Sequence, residues 1–328
     1  TVGFLALCGA VMALPLVFQR AKQACLTAMV AFAGASAVVL LYSTARIILG
    51  GDFLSFGSFL SVTASPIGGF NDLAIFSGLV LLICLVTLLQ LPLRPFVQGV
   101  IVGLSTLALI ILSVVNFFNV WVVVGFGGLL VLLYLVSRDT LFSTEDGSSA
   151  YNVRALAAVT LGVCLCSTVF VIGGEYAGSQ VSEWTDVSYV EVRPSAEATM
   201  NIARSVYGES VLLGVGPNRF ADAWRQYKDQ SINETVFWDT DFVAGSGFVP
   251  TLFVNLGILG GGLLVAFHAW FLYLGYRMLL RNDKVDPVWY YLGVVAFVAA
   301  AYLWGLSYVY VPGAVLLLLA AFFTGLAF

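Results

Sequence analysis

The sequence predicts an all-α protein that crosses a membrane repeatedly and carries one large loop on a single side. Three observations predict it. First, 60% of its 328 residues are hydrophobic and only 10% are charged, where a soluble domain is roughly 45–50% apolar and about 25% charged. Second, the apolar residues gather into runs close to the ~20 residues a helix needs to span the hydrocarbon core. Third, the Lys and Arg of the short connections fall almost entirely on one side if the helices alternate.

Nine runs read as spanning helices, near residues 1–18, 24–49, 71–91, 96–115, 117–137, 153–174, 248–280, 287–305 and 309–327. Short turns at 116–119 and 305–308 separate adjacent runs. The long 248–280 run is expected to tilt or to project beyond the bilayer. Arg20 and Lys22 follow the first run, Arg94 the third, and Arg138 and Arg154 flank the connection after the fifth. Arg277, Arg281 and Lys284 follow the seventh. If the helices alternate, all eight of these lie on one side, and the opposite short connections hold only Arg46. The basic side is cytoplasmic, so the large loop 175–247 is extracytoplasmic. The organisation is therefore 1–174 membrane helices, 175–247 outer loop and 248–328 membrane helices. The segment 50–71, rich in Gly, Ser and Phe, reads as a cap or re-entrant piece over the bundle. The first residue is Thr, and we expect the chain to be part of a longer one, cut at its N-terminus.

Composition also excludes functions. A net charge of −4 offers nothing to nucleic acid. The single His268, mid-helix, reads as a buried neutral imidazole bonded to a neighbouring helix, and cannot build a metal cluster alone. Cys8, Cys25, Cys84, Cys164 and Cys166 lie in apolar runs and read as packing residues, not a disulfide framework. No metal and no cofactor is expected.

The outer loop holds the chemistry. It contains eleven Asp or Glu and five Lys or Arg, and a loop of this length is usually functional. One helix is expected after Ser195, with Ala196, Met200, Ala203 and Tyr207 on one face and Gly208 ending it. A second is expected to be capped by Asn218, with Phe220, Trp224 and Tyr227 as a packing stripe. Between them runs Val211-Leu212-Leu213-Gly214-Val215-Gly216-Pro217-Asn218-Arg219-Phe220. This is no phosphate loop, since it lacks the Gly-Lys-Ser/Thr sequence, and no dinucleotide fingerprint, since it lacks a third Gly. Gly214, Gly216, Pro217 and Asn218 read as a structural turn.

The order of these pieces resembles a known family. Arg193 precedes a helix, the Leu212–Phe220 turn follows, and Val249–Gly261 (VPTLFVNLGILGG) opens a membrane helix. This is similar to the O-antigen ligase and O-antigen polymerase superfamily, membrane glycosyltransferases of the GT-C type. The resemblance implies transfer of a glycan from an undecaprenyl-pyrophosphate donor to a lipid or glycan acceptor. It implies that this happens at the outer face of the bacterial inner membrane, among membrane lipids, without metal or nucleotide sugar. Family ligases have about twelve spans, so about three would be missing before residue 1, which then begins outside as the charge pattern also requires. Two departures stand out. The family His-Asn pair would fall near Ser246-Gly247, where there is no His, and an Arg expected near Asn116–Trp121 is absent. Either other groups do the chemistry or the protein is an inactive scaffold in surface-polysaccharide assembly. A polyisoprenoid-linked glycan transporter or flippase is a further alternative, for which inverted repeats and broken helices would be the signs.

The resemblance makes Arg193 the donor-binding cation, because a guanidinium pairs with phosphate bidentately. Arg219 and Arg225 are weaker candidates, better explained as a solvated loop surface. Glu234, Asp239 and Asp241, just before the returning span, are candidate bases. Asp72, in the first turn of the third run, is either helix-terminus chemistry or a substrate contact. Reporter fusions at Gly147 and Asp229 are expected to report cytoplasm and exterior respectively; the reverse pair would overturn this topology.

Overall fold

The computed structural model describes residues 2–18, 22–137, 148–189, 191–235, 237–280 and 286–327, and their regular structure is entirely helical. The helices are α1 (Val2–Phe18), α2 (Lys22–Leu49), α3 (Phe70–Gln90), α4 (Pro95–Val115), α5 (Phe118–Ser137) and α6 (Ser148–Ile172). They continue with α7 (Gly174–Thr185), α8 (Ala196–Glu209), α9 (Phe220–Tyr227), α10 (Phe248–Leu279), α11 (Pro287–Leu306) and α12 (Ala314–Leu326). A 3₁₀ turn covers Gln230–Glu234.

Among the described residues seven helices, α2 to α6, α10 and α11, are long and apolar enough to cross a membrane. The other two expected spans are shorter: α1 has 17 residues with Pro15 inside, and α12 has 13. The ninth run was expected from residue 309, yet the helix begins at Ala314. Residues 307–310 form a turn whose carbonyls are taken by the N–H groups of Phe248 and Val249, and Pro312 disfavours helix at the residue before it.

The chain divides into two compact units. The larger comprises Val11–Tyr189, Asn282–Tyr302 and Gly313–Phe328. Its axis is α3, buried along most of its length, with α2, α4, α5 and α6 packed against it. Trp121 of α5 is fully buried and stacks on Phe170 of α6 at 4.7 Å. Arg46, in the last turn of α2, is 1% exposed. Its guanidinium donates to the carbonyls of Gly51, Phe59, Ser61 and Ala64 at 2.6–2.9 Å. It therefore winds the 50–69 segment around itself, which gives that segment its compact form.

The second unit comprises Thr1–Ala10, Val190–Arg281 and Leu303–Pro312. Ser195 caps α8, accepting from the Ala198 N–H at 3.0 Å. The buried face of α8 is Thr199, Ile202, Ala203 and Val206, one residue round from the expected stripe, so Met200 is 55% exposed. Gly208 lies inside the helix, which is closed by Ser210 at φ −146°, ψ 83° rather than by a left-handed glycine. Phe220 and Trp224 of α9 are buried in a small core with Ile202, Val206 and Val254, as a packing stripe should be. Asn218 is not the N-cap of α9. It sits in the left-handed region at φ 60°, a conformation Asn tolerates, and Arg219 precedes the first turn.

Helix α10 neither tilts as one rod nor projects as one. It breaks at Gly257 (φ 63°, ψ −166°). Gly247 packs against the Tyr308 carbonyl, while His268 Nδ1 lies 2.9 Å from the Tyr308 hydroxyl. A straight helix would hold those two positions ~30 Å apart at 1.5 Å per residue, so the chain turns sharply between them. The first leg, 248–256, joins the small core of α8 and α9 through Val254. The second, 258–279, remains long enough to cross ~30 Å of hydrocarbon.

The glycine turn answers the break. The N–H groups of Val215 and Gly216 donate to the carbonyls of Val254 and Asn255 at 3.1 and 2.9 Å. The N–H groups of Ile258 and Leu259 donate back to Val211 and Leu212 at 3.0 and 3.2 Å. The helix bonds lost at the break are thus replaced by bonds to 211–216. A Cβ on Gly214 would meet the Val254 oxygen at 2.3 Å, and one on Gly257 the Leu212 oxygen at 2.4 Å. Both positions also have positive φ, which alone costs a side chain about 1–2 kcal/mol. Gly214→Ala and Gly257→Ala are each expected to cost roughly 2 kcal/mol or more. Gly216→Ala, facing only the flexible Arg219 side chain at 3.3 Å, should cost about 1 kcal/mol. Thermal unfolding in detergent measures all three; equal losses at 214 and 216 would contradict the interlock.

Candidate functional site

The turn at 307–310 gathers the chemistry of the second unit. The Phe248 N–H donates to the Tyr310 carbonyl at 2.9 Å and the Val249 N–H to the Ser307 carbonyl at 3.0 Å. Backbone bonds therefore hold both tyrosines of this turn in place. Tyr310 is buried, while Tyr308 is 38% exposed.

Arg193 is built onto Tyr310. Its guanidinium carbon lies 3.6 Å from the Tyr310 ring centroid. Its Nε and Nη2 reach Glu191 Oε1 at 2.8 and 2.6 Å. The Tyr310 hydroxyl sits 3.4 Å from Glu191 Oε2, a long contact. Only 18% of the Arg193 side chain is exposed. Pro194 follows and Ser195 caps α8, so the backbone behind the guanidinium is restrained. The result is a cation aimed by a ring face and a carboxylate, the arrangement that lets Arg keep a fixed fork.

His268 reaches the same turn from the spanning leg of α10. It is 5% exposed, bonds Tyr308 through Nδ1, and lies against Trp304 at 4.8 Å between ring centroids. Its Nε2 is buried without a hydrogen-bond partner. The imidazole is buried as the sequence suggests, but its bond goes to a tyrosine of the 307–310 turn rather than to a neighbouring helix.

The position where the resembled family carries its His is a tight backbone passage. The Ser246 N–H donates to Thr199 Oγ1 and the Gly245 N–H to Thr251 Oγ1, both at 2.9 Å. A Cβ at Gly245 would lie 2.5 Å from Thr199, and one at Gly247 would lie 2.4 Å from the Tyr308 oxygen. A larger side chain at 245 or 247 has no room in this packing.

The other predicted residues sit elsewhere. Arg219 pairs with Asp222 at 2.9 Å on the exposed side of α9. Arg225 holds Asp241 through two bonds of 2.9 and 2.6 Å. That hydrogen-bonded guanidinium draws the Asp241 carboxyl below its ordinary value, the direction opposite to what proton abstraction needs. Glu234 ends the 3₁₀ turn and Asp239 follows it, both exposed. Asp72 lies in the larger unit, 5% exposed. Its two oxygens accept from the N–H groups of Gly69 and Gly313, each at 2.9 Å. It thereby ties the N-termini of α3 and α12, the helix-terminus reading of that residue. Among the described residues no group of His, Cys, Asp and Glu converges as a metal site.

Glu191, Tyr308 and Tyr310 were missed by the sequence reading. The one available signal was Ser307-Tyr308-Val309-Tyr310-Val311-Pro312-Gly313, whose Pro-Gly end marks a turn but whose apolar residues pass for the start of a span. In comparison with known proteins, the chain matches no family model, no curated protein and no solved structure.

The Arg225–Asp241 pair carries a pH dependence of known sign. Asp241 has a depressed folded-state value, so its contribution is present above the ordinary 3.8 and is lost as pH falls through the folded value. Hydrogen exchange of residues 237–243 in a double-mutant cycle of Arg225→Gln and Asp241→Asn should show coupling at neutral pH and none in strong acid. Coupling that persists in acid would exclude the ion pair as its source.

Proposed function

We propose that this chain is a membrane glycosyltransferase of the O-antigen ligase and polymerase type. It transfers a glycan from an undecaprenyl-pyrophosphate donor to a lipid or glycan acceptor at the outer face of the bacterial inner membrane. The observation that carries the reading is Arg193, held by Tyr310 and Glu191 beside α8. A cation prepared in this way suits a diphosphate leaving group, which needs a permanent positive charge in fixed geometry. The one-sided Lys and Arg of the short connections, which put this loop outside, support the location.

In this reading the bond between the anomeric carbon and the diphosphate oxygen breaks, and the acceptor oxygen forms the new bond to that carbon. Arg193 stabilises the negative charge left on the diphosphate. Glu191 pairs with the nitrogens of Arg193 that the diphosphate would engage. When Arg193 turns to the donor, the Glu191 carboxylate is freed to take the acceptor proton. The break in α10 does not argue for transport. The backbone groups it frees are taken by 211–216, whereas a transporter would offer them to its cargo.

Transfer from a purified undecaprenyl-linked donor in liposomes tests this. Arg193→Lys, which keeps charge but loses the fork, should slow transfer, and Arg193→Ala should slow it by a further factor of about 10 or more. Unchanged rates from Arg193→Ala would sink the assignment. Inactivity of the unmutated protein with every donor tried would favour the scaffold reading.

A further inference from the structure

The second leg of α10 has a readable depth. Near its lower end Tyr273 and Tyr276 are 50% and 60% exposed, and Arg277 lies over the Tyr273 ring at 6.0 Å. Exposed tyrosines with an adjacent Arg mark a membrane–water boundary. About 20 residues of helix cross the hydrocarbon core, and counting back from Tyr276 reaches Leu256-Gly257. The break in α10 therefore lies at the opposite boundary, the side of α8 and α9.

Residues 211–213 are bonded to that boundary. The carbonyls of Val211 and Leu212 accept from Ile258 and Leu259, so these residues share the depth of the first turn of the spanning leg. Their side chains point away from the outer core: Val211, Leu212 and Leu213 are 44%, 60% and 68% exposed. Ile258 and Leu259 beside them are 47% and 49% exposed, which extends one apolar surface from the turn onto the leg. Glu209 and Ser210 precede this triplet and Gly214 ends it, so three consecutive exposed apolar side chains stand between polar residues and a glycine. In water such a patch would be a liability.

We propose that Val211, Leu212 and Leu213 form a lipid-inserted wedge. It seats the outer unit in the near leaflet and fixes the height of the glycine turn above the bilayer. The occupant of this surface is acyl chain. The backbone suits that depth, because the Val211 and Leu212 carbonyls are already bonded and unpaired polar groups are costly there.

The test uses the whole chain in liposomes containing a trace of phospholipid with a photoreactive diazirine in its acyl chain. After illumination, adducts are mapped by mass spectrometry of peptides. Adducts are expected at 211–213 at a level comparable with 259–263, and severalfold above those on Phe237-Trp238, an exposed aromatic pair elsewhere in the outer loop. Leu213→Asp, altering an exposed side chain, should lower adducts at 211–213 while leaving those at 259–263 unchanged. Labelling of 211–213 no higher than Phe237-Trp238 would overturn the proposal.

Discussion

A helix interrupted in mid-course strands backbone N–H and C=O groups, and each one left buried and unpaired costs about 1–3 kcal/mol. The break at Gly257 is stable because 211–216 supplies the missing partners: two N–H groups for the carbonyls above the break and two carbonyls for the N–H groups below it. Gly214 and Gly257 make this possible by letting the two backbones touch. Much of the second unit follows. The bend places 248–256 against α8 and α9, where Val254 closes their core. It also brings Phe248 and Val249 to the 307–310 turn, the seat of Tyr308 and Tyr310. Arg193 and His268 are attached to that turn.

Charged side chains in this protein divide by what surrounds them. Arg46 and Asp72 are nearly inaccessible, and each is neutralised by oriented backbone dipoles: four carbonyls around the guanidinium, two N–H groups on the carboxylate. Buried ions held in this way organise a chain locally, because removing the partners would strand a charge out of water. The pairs Arg219–Asp222 and Arg225–Asp241 are half-exposed and belong to the class of surface bridges that add little. Arg193 is intermediate. It is packed on a ring and paired, yet part of it still meets solvent, a combination suited to exchanging an internal anion for an external one.

Much of the architecture was legible in the sequence. Hydropathy alone located the seven long spans, because the length of an apolar run answers directly to bilayer thickness. Ser195 as a cap and Phe220 and Trp224 as packing residues were also legible, since capping and helical spacing act over a few residues. The errors came where distant chain decided a local outcome. Asn218 had the chemistry of an N-cap but was drawn into a left-handed turn by the docking of 214–216. The run from 309 looked helical throughout, but the Tyr310 carbonyl near its start is taken by Phe248 of α10. Asp241 looked like a free carboxylate until Arg225 folded across to it.

By itself the sequence determined an all-helical membrane chain and the structural nature of the glycine turn, because hydropathy and turn chemistry are local or summed properties. Only the tertiary structure decided that α10 is two helices, that Gly214 and Gly257 interlock, and that Arg193, Glu191, Tyr308, Tyr310 and His268 collect around one turn. Those outcomes rest on backbone hydrogen bonds and close contacts between segments far apart in the chain, and no periodicity or residue type announces which carbonyl a remote N–H will find.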